Sequence, residues 1–158
     1  MSGPDQMVQA PTFRLDPQYS GIELARQWMQ VQWPGGYPNR LPARPVEVGE
    51  GYMKIICDLD VGHSNFVGLV HGGVTAGLVD FVGGGAAMTL LKAGEFLLTS
   101  DLQMRFLNGA PIDSGHLIAE GTARYVDDRK IVAEVKITTP DDVVVVMGTV
   151  AISRRRRG

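Results

Sequence analysis

The sequence has a single cysteine, no long apolar run and no excess of basic charge. Cys57 stands alone among 158 residues, so no internal disulfide can form, which suits a reducing compartment. No apolar segment reaches the roughly 18 residues that a membrane-spanning helix needs, and the first residues lack the pattern of a secretory signal. With 15 Lys and Arg against 17 Asp and Glu, the composition does not favour nucleic-acid binding. We therefore expect a cytoplasmic protein with no membrane and no nucleic-acid partner.

The length fits one domain with a single core, flanked by two less regular ends. We interpret residues 1–45 as an N-terminal arm, a helix and a Pro-rich loop, residues 46–153 as the main domain, and residues 154–158 as a basic tail. The four arginines of that tail carry +4, so the rest of the chain carries −6 against the overall −2. A solvated terminus is the expected state of the tail, and contact with phosphate groups is the alternative.

Hydrophobic periodicity predicts one early helix and five strands. From Ser20 to Trp33 apolar residues recur at helical spacing, with Ser20 as N-cap and Pro34-Gly35-Gly36 as the terminator. Residues 34–48 have loop composition. Alternating apolar residues predict strands at 52–59, 97–107, 116–126, 131–138 and 143–152. Short, turn-rich connections favour antiparallel neighbours and exclude a doubly wound α/β sheet, which needs helices between successive strands.

Residues 74–91 form the most informative segment. Their only charge is Asp80, and apolar residues cover every side, so the pattern predicts a buried helix rather than an amphipathic surface helix. Gly83, Gly84 and Gly85 would each weaken an isolated helix by roughly 1 kcal/mol relative to Ala. They are tolerable where another backbone layer approaches closely. A buried helix followed by antiparallel strands predicts an α+β fold whose sheet wraps around the helix.

Polar residues and glycines cluster where this helix begins. Gly72 and Gly73 fall at its N-terminus, where backbone N–H groups lack intrahelical acceptors and the helix dipole favours negative charge. Glycine lets a ligand approach those N–H groups, so the segment is a candidate oxyanion site. Asp80 is a carboxylate in apolar surroundings, which is costly unless it is paired or faces a cleft. Each feature alone is more often structural, but their joint occurrence favours a functional site.

The cluster forms an ordered pattern. It runs His63-x-Asn65-x-x-Gly68-x-x-His71-Gly72-Gly73 and continues to Asp80. This pattern resembles the signature of hotdog-fold acyl-CoA thioesterases, most closely the PaaI type, which includes the phenylacetyl-CoA thioesterase. The resemblance covers roughly residues 50–152. It implies a hotdog fold, an antiparallel sheet wrapped around a long central helix. It also implies hydrolysis of an acyl-CoA thioester to free acid and CoA, without cofactor or metal, by a homodimer or homotetramer.

The resemblance also implies a role for each matching residue. Asp80 corresponds to the catalytic carboxylate, which acts as nucleophile or as general base on water. Gly72 corresponds to the residue whose backbone N–H polarises the thioester carbonyl, and Asn65 to a side chain that holds the carbonyl or water. Thr99 falls where the family often places a hydroxyl near the attacking water. His71 is expected to support the helix start. In the family, Asp80 meets Asn65 and Gly72 of a second subunit.

Substrate binding is assigned to four further residues. Gly73 and Phe81 are expected near the acyl thioester, and Arg129 and Lys130 are candidates for the phosphates of CoA. Phe66, Phe81 and Met88 could line an acyl pocket for aromatic, short or medium acyl groups.

Other chemistries are weaker. Asp58, Asp60 and His63 could in principle ligate a cation, but acidic turn residues usually face water, so no metal is expected. Cys57 has no evident activating partner and is expected to be a buried strand residue. The alternative function is a noncatalytic acyl-CoA binding or sensing protein on the same fold. A hotdog dehydratase ranks last, because no His occurs between Gly72 and Lys92.

Overall fold

The computed structural model describes residues 16–31 and 36–156 of the chain. This part contains two α-helices, α1 (Gly21–Gln30) and α2 (Gly72–Met88). It also contains six strands: β1 (Ala43–Gly49), β2 (Tyr52–Asp58), β3 (Glu95–Phe106), β4 (His116–Val126), β5 (Lys130–Thr138) and β6 (Val144–Arg156). Three single 3₁₀ turns lie at Tyr37–Asn39, Val61–His63 and Ile112–Ser114. No helix in the described ranges is long and apolar enough to cross a membrane.

The six strands form one antiparallel sheet in the order β1-β2-β4-β5-β6-β3. Hairpins join β4 to β5 and β5 to β6, as the sequence predicts. The strand after the central helix behaves differently: β3 pairs with β6 and not with its successor β4. The expectation that the four strands after α2 pair in sequence order is therefore wrong for β3. The connection over residues 107–115 leads from β3 at one edge of the sheet past β6 and β5 to β4, which lies next to β2. As a result, β3 is an edge strand.

The sheet wraps around α2, so the predicted buried helix is confirmed. Glycines on both surfaces bring the two layers together. A Cβ on Gly83 of the helix would lie 2.5 Å from Val150 Cγ2, and a Cβ on Gly121 of β4 would lie 2.5 Å from the Val82 carbonyl oxygen. The core between the layers is aliphatic, and its fully buried larger members are Met53, Ile55, Leu78, Leu117, Ile131, Ile137, Ile152, Val79, Val82, Val146 and Val150.

The loop predicted over residues 34–48 is wrong from Ala43 onward, where β1 begins. Pro45 favours the prediction of a loop, because proline is excluded from central strands. Proline is nevertheless tolerated at sheet edges and bulges. Here β1 is an edge strand and its register shifts between Pro45 and Glu47. The boundary expected between residues 45 and 46 consequently falls inside a strand.

The basic tail predicted at residues 154–158 is also different in the structure, because β6 continues to Arg156. Arg154 is not a solvated terminus. Its side chain is 8% exposed and forms an ion pair of 2.8 Å with Glu95, which is 6% exposed. The same guanidinium donates to the carbonyl of Asp127 at 2.9 Å, so it ties β3 to the hairpin between β4 and β5. Burial raises the pKa of Glu95, but hydrogen bonds to its carboxylate, chiefly from Arg154, outweigh that effect and hold the pKa below its usual value.

Helix α1 packs against the C-terminal end of α2. Ser20 is its N-cap, as predicted, and its N–H and Oγ both donate to the Glu23 carboxylate, at 2.8 and 2.7 Å. The Gly21 N–H donates to the Leu91 carbonyl at 2.8 Å, which joins the two helices. The helix ends at Gln30. Most of the predicted terminator, and Trp33, lie outside the described residues.

Candidate active site

A tightly hydrogen-bonded loop leads into α2, and Asn65 organises it. The Asn65 Oδ1 accepts hydrogen bonds from the backbone N–H groups of Val67 and Leu69, at 2.9 and 3.0 Å. Asn side chains commonly fold turns in this way. The Asn65 Nδ2 donates no hydrogen bond within the described ranges, so its two N–H donors remain for a ligand or a second chain.

His63 and Asp60 hold the start of the same loop. The Asp60 N–H donates to His63 Nδ1 at 2.9 Å, and the Asp60 carboxylate accepts from the Gly62 N–H at 2.7 Å. Asp58 faces Arg44 at 3.6 Å. Among the residues that the structure describes, no group of three or more His, Cys, Asp or Glu is arranged to hold a metal ion.

His71 caps the N-terminus of α2. Its Nδ1 accepts a hydrogen bond from the Gly73 N–H at 2.9 Å. The Gly73 N–H is therefore occupied and is not a free donor for substrate. The Gly72 N–H has no acceptor in the described part of the chain. A Cβ at Gly72 would lie 3.1 Å from the ring of Phe106, so glycine fits this position best.

The Gly72 donor opens into a pocket of about 290 Å³. Asn65, Gly72 and Phe106 line it together with residues of the β3–β4 connection. The structure thus brings together two of the predicted site residues, a backbone donor and a side-chain amide, at one end of the helix. Phe106 was not predicted, because its approach to Gly72 depends on how β3 crosses the sheet.

Asp80 and Thr99 form a second cluster at the middle of α2. The Thr99 Oγ1 donates to Asp80 Oδ1 at 2.7 Å. A β-bulge presents Thr99: the pairing of β3 with β6 shifts register between Thr99 and Asp101, which leaves Ser100 unpaired. Bulges often redirect a side chain next to an active site. Asp80 is half-buried and Thr99 is exposed, so the carboxylate faces an open surface of the single chain.

The two clusters lie too far apart to act together within one chain. Asp80 follows Gly72 by eight residues on a continuous α-helix, a separation of about 12 Å along the axis. A single thioester carbonyl cannot contact the Gly72 N–H and a nucleophile at Asp80 over that distance. The two clusters are therefore separate within one chain.

The residues predicted to bind substrate occupy three places. Gly73 lies at the helix start, and Phe81 is half-buried beside Asp80, with its ring edge-on to Tyr37 at 5.4 Å. Arg129 and Lys130 are exposed on the hairpin between β4 and β5. Tyr37 was not predicted, because its segment has loop composition and its contact with α2 is tertiary.

Two other features of the molecule lie outside these clusters. Cys57 is buried, as predicted, and its pKa is raised to about 12 by burial and then by Asp58 and Asp60. A thiol of that pKa is a poor nucleophile. A cavity of about 710 Å³ lies on the face of the sheet away from α2, and its lining includes Tyr52 and Glu120. None of the predicted site residues lines it.

Comparison with known proteins identifies the family. The model of the thioesterase superfamily matches residues 67–146, half of the chain. No curated protein matches the sequence.

Several solved structures share the fold. A thioesterase family protein from Silicibacter pomeroyi is 18% identical, with 87% of this chain and 100% of that one covered and a TM-score of 0.76. The Escherichia coli PaaI protein from the phenylacetic acid degradation operon is 18% identical, with coverages of 88% and 97% and a TM-score of 0.74. A thioesterase from Haemophilus influenzae is 18% identical, with coverages of 90% and 96% and a TM-score of 0.74. The predicted family and fold are confirmed: the chain belongs to the thioesterase superfamily and has its hotdog fold.

Proposed function

We propose that the protein hydrolyses an acyl-CoA thioester to a free acid and CoA, with Asp80 as the catalytic carboxylate. The observation that carries this proposal is the 2.7 Å hydrogen bond from Thr99 to Asp80 on the uncovered side of an otherwise apolar helix. A carboxylate in such a position is costly for folding and is explained by chemistry at that surface. The hydrogen bond holds one carboxylate oxygen, and the other accepts no hydrogen bond from the described residues.

The complete site requires a second copy of the chain. Because Asp80 and Gly72 of one chain lie about 12 Å apart, the donor for the carbonyl comes from Gly72 of the partner subunit. The edge strand β3 supports such a dimer, since its outer side offers unpaired backbone groups and the exposed side chain of Leu98. A twofold axis would then produce two equivalent sites. A homotetramer would add a second interface.

The reaction follows from this arrangement. The thioester carbonyl oxygen accepts hydrogen bonds from the partner's Gly72 N–H and from Nδ2 of the partner's Asn65. As general base, Asp80 takes a proton from water while the water oxygen bonds to the carbonyl carbon. The carbonyl electrons move to the oxygen, and the oxyanion gains about 2.7–4 kcal/mol from one preorganised donor. When the C=O bond re-forms, the C–S bond breaks, and the CoA thiolate leaves and takes up the proton.

As nucleophile, Asp80 would attack the same carbon, and the C–S bond would break to expel the CoA thiolate and leave a mixed anhydride. Water then cleaves the anhydride to the free acid and the Asp80 carboxylate, and the thiolate takes up the proton that the water releases. Both routes use the same geometry. The exposed Arg129 and Lys130 are the proposed contacts for the CoA phosphates, since cationic side chains bind phosphate oxygens strongly. In this proposal Gly73 contributes by the absence of a side chain beside the carbonyl, because its N–H is bonded to His71.

The test is thiol release from a panel of acyl-CoA esters, with wild type, Asp80→Asn and Asp141→Asn compared. Asp141 is an exposed aspartate in the turn between β5 and β6 and makes the matched control. We expect Asp80→Asn to lose at least about 100-fold in kcat, the lower end of what a general base contributes, and Asp141→Asn to match wild type. Binding of esters without any thiol release by wild type would instead identify a noncatalytic acyl-CoA binding protein.

A further inference from the structure

One glycine of α2 has no explanation in the packing of residues 16–31 and 36–156. Cβ atoms at Gly83 and Gly85 would overlap Val150 and Met53, so the core requires glycine at both positions. A Cβ at Gly84 meets no atom of the described residues within 4 Å. Glycine in a helix interior is destabilising, so its presence at an unobstructed position calls for an occupant from outside the chain.

Gly84 lies one helical turn beyond Asp80 on the same side of α2. In the opposite direction the next turn is already filled, because a Cβ at Gly77 would lie 2.9 Å from the Tyr37 hydroxyl and 3.3 Å from Leu41. A group attached to a carbonyl at Asp80 can therefore extend over Gly84 but not over Gly77. The next turn ends at Met88, whose carbonyl oxygen is covered by Gly21 of α1. Gly21 thus limits the open surface of α2 beyond Asp80 to about 12 Å, the rise of the eight residues from Asp80 to Met88.

The loop before α2 presents an aromatic side chain to solvent. Phe66 is 98% exposed, although it follows Asn65 in a loop that Asn65 holds with two hydrogen bonds. The two bonds fix the backbone on both sides of Phe66, whose side chain points away from its own chain. Phe66 and its neighbour Val67, which is 62% exposed, form an apolar patch on this loop, and such a patch indicates a contact with another molecule.

Twofold symmetry places this loop opposite Gly84. If Asp80 faces the partner's Gly72, the partner's Asp80 faces Gly72 of the first chain. Two such contacts make the paired helices antiparallel, so moving four residues on from Asp80 in one chain moves four residues back from Gly72 in the other. Gly84 then faces a level about 6 Å before the partner's Gly72 along the helix axis, which is outside the partner's helix and on the side of the loop that leads into it and carries Phe66.

We propose that the acyl group lies on Gly84 and packs against Phe66 of the partner subunit, so that these two residues set the preference for an apolar acyl group larger than acetyl. This inference rests on the proposed two-chain site. It assigns Gly84 as the floor of the acyl pocket and the partner's Phe66 as its wall. The acyl group is compact, aromatic or of medium length, because the pocket closes where α1 meets Met88.

The test measures binding and turnover of acetyl-CoA, hexanoyl-CoA and benzoyl-CoA by Gly84→Val and Phe66→Ala. Binding is measured by calorimetry in the Asp80→Asn background, so that turnover is not needed for a result. We expect the preference for hexanoyl-CoA and benzoyl-CoA over acetyl-CoA to fall by about 10-fold or more in both variants, the usual effect of one lost or blocked apolar contact. Val61→Ala removes another exposed apolar side chain from the same loop and should keep the wild-type preference.

Two results would overturn the inference. One is an unchanged preference among the three esters in both variants. The other is an equal loss for all three esters, accompanied by dissociation of the oligomer in sedimentation, which would make Phe66 an interface residue only. Gly84→Ala serves as the milder variant if Gly84→Val does not fold. Failure of the proposed function has a different signature: wild type then releases no thiol, while the binding preferences still report on Gly84 and Phe66.

Discussion

The three consecutive glycines of α2 allow a stability prediction within a single turn of helix. Replacing each by Ala in turn adds one methyl group at successive positions that point in different directions. Gly84 points into open space, Gly83 points at the branched side chain of Val150, and Gly85 points at the thioether of Met53. The three substitutions are chemically identical, so any difference between them reports on the surroundings alone.

The expected magnitudes follow from two opposing effects. Each Gly→Ala change favours the helix by about 1 kcal/mol. At Gly84 nothing opposes this gain, so the free energy of unfolding should rise by up to about 1 kcal/mol, or roughly 2–4 °C in Tm. At Gly83 the methyl would lie 2.5 Å from Val150 Cγ2. Overpacking of this kind costs about 1–3 kcal/mol, so Gly83→Ala should be less stable than wild type. Gly85→Ala should fall between them, because a methionine side chain adapts more readily than valine.

Urea unfolding measures the free energy of unfolding of the three variants and of wild type. All measurements use one fixed protomer concentration, because the stability of an oligomer depends on concentration. The reasoning fails if Gly84→Ala is less stable than wild type, or if Gly83→Ala is as stable as Gly84→Ala. The first result would mean that another chain occupies the space over Gly84 so tightly that even a methyl group is excluded.

Three further predictions concern single side chains. Glu95→Gln leaves the buried Arg154 guanidinium without its carboxylate and should lower the free energy of unfolding at pH 7 by about 3 kcal/mol. Because the folded pKa of Glu95 lies below its ordinary 4.5, this contribution is fully present above pH 4.5 and is lost as the pH falls through the folded pKa. The difference in free energy of unfolding between wild type and Glu95→Gln, measured with urea, should therefore become smaller as the pH falls below 4.5. A difference that does not change with pH would contradict the ion pair between Glu95 and Arg154. Cys57, with a pKa of about 12 and no exposed surface, should react with a disulfide reagent only after unfolding; fast reaction of the native protein would contradict this. Thr99→Val removes the hydrogen bond to Asp80 and should lower kcat about 10-fold, whereas Thr99→Ser should largely restore it; equal rates in the two variants would make the hydroxyl irrelevant.

Local patterns in the sequence were sufficient for much of the fold. The central helix could be predicted because one charge among so many apolar and small residues is compatible only with burial on most sides. Asp80 could be selected for the same reason. The hairpins of β4, β5 and β6 could be predicted from alternation and turn residues, which act over a few neighbouring positions.

Features that depend on distant partners could not be predicted. Pro45 argues against a strand unless that strand is known to lie at a sheet edge, and edge position is a property of the whole sheet. Arg154 stands in a run of four arginines and reads as a solvated cation, yet it forms an ion pair with Glu95 of the neighbouring strand β3, which lies two residues away from its direct cross-strand partner Leu97. The bulge that presents Thr99 has no local signal, because it arises from the register between two strands far apart in sequence.

The candidate site has residues that local sequence identifies and a geometry that local sequence does not reveal. Sequence spacing identifies Gly72 and Asp80 as one constellation, and the helix between them keeps them about 12 Å apart. A straight helix cannot shorten that separation, so the spacing that makes the residues recognisable also prevents them from acting on one carbonyl within one chain. The proposed dimer resolves the conflict, because in it two antiparallel helices would place the start of each opposite the middle of the other. The same helix would then provide a donor to one site and a carboxylate to the other.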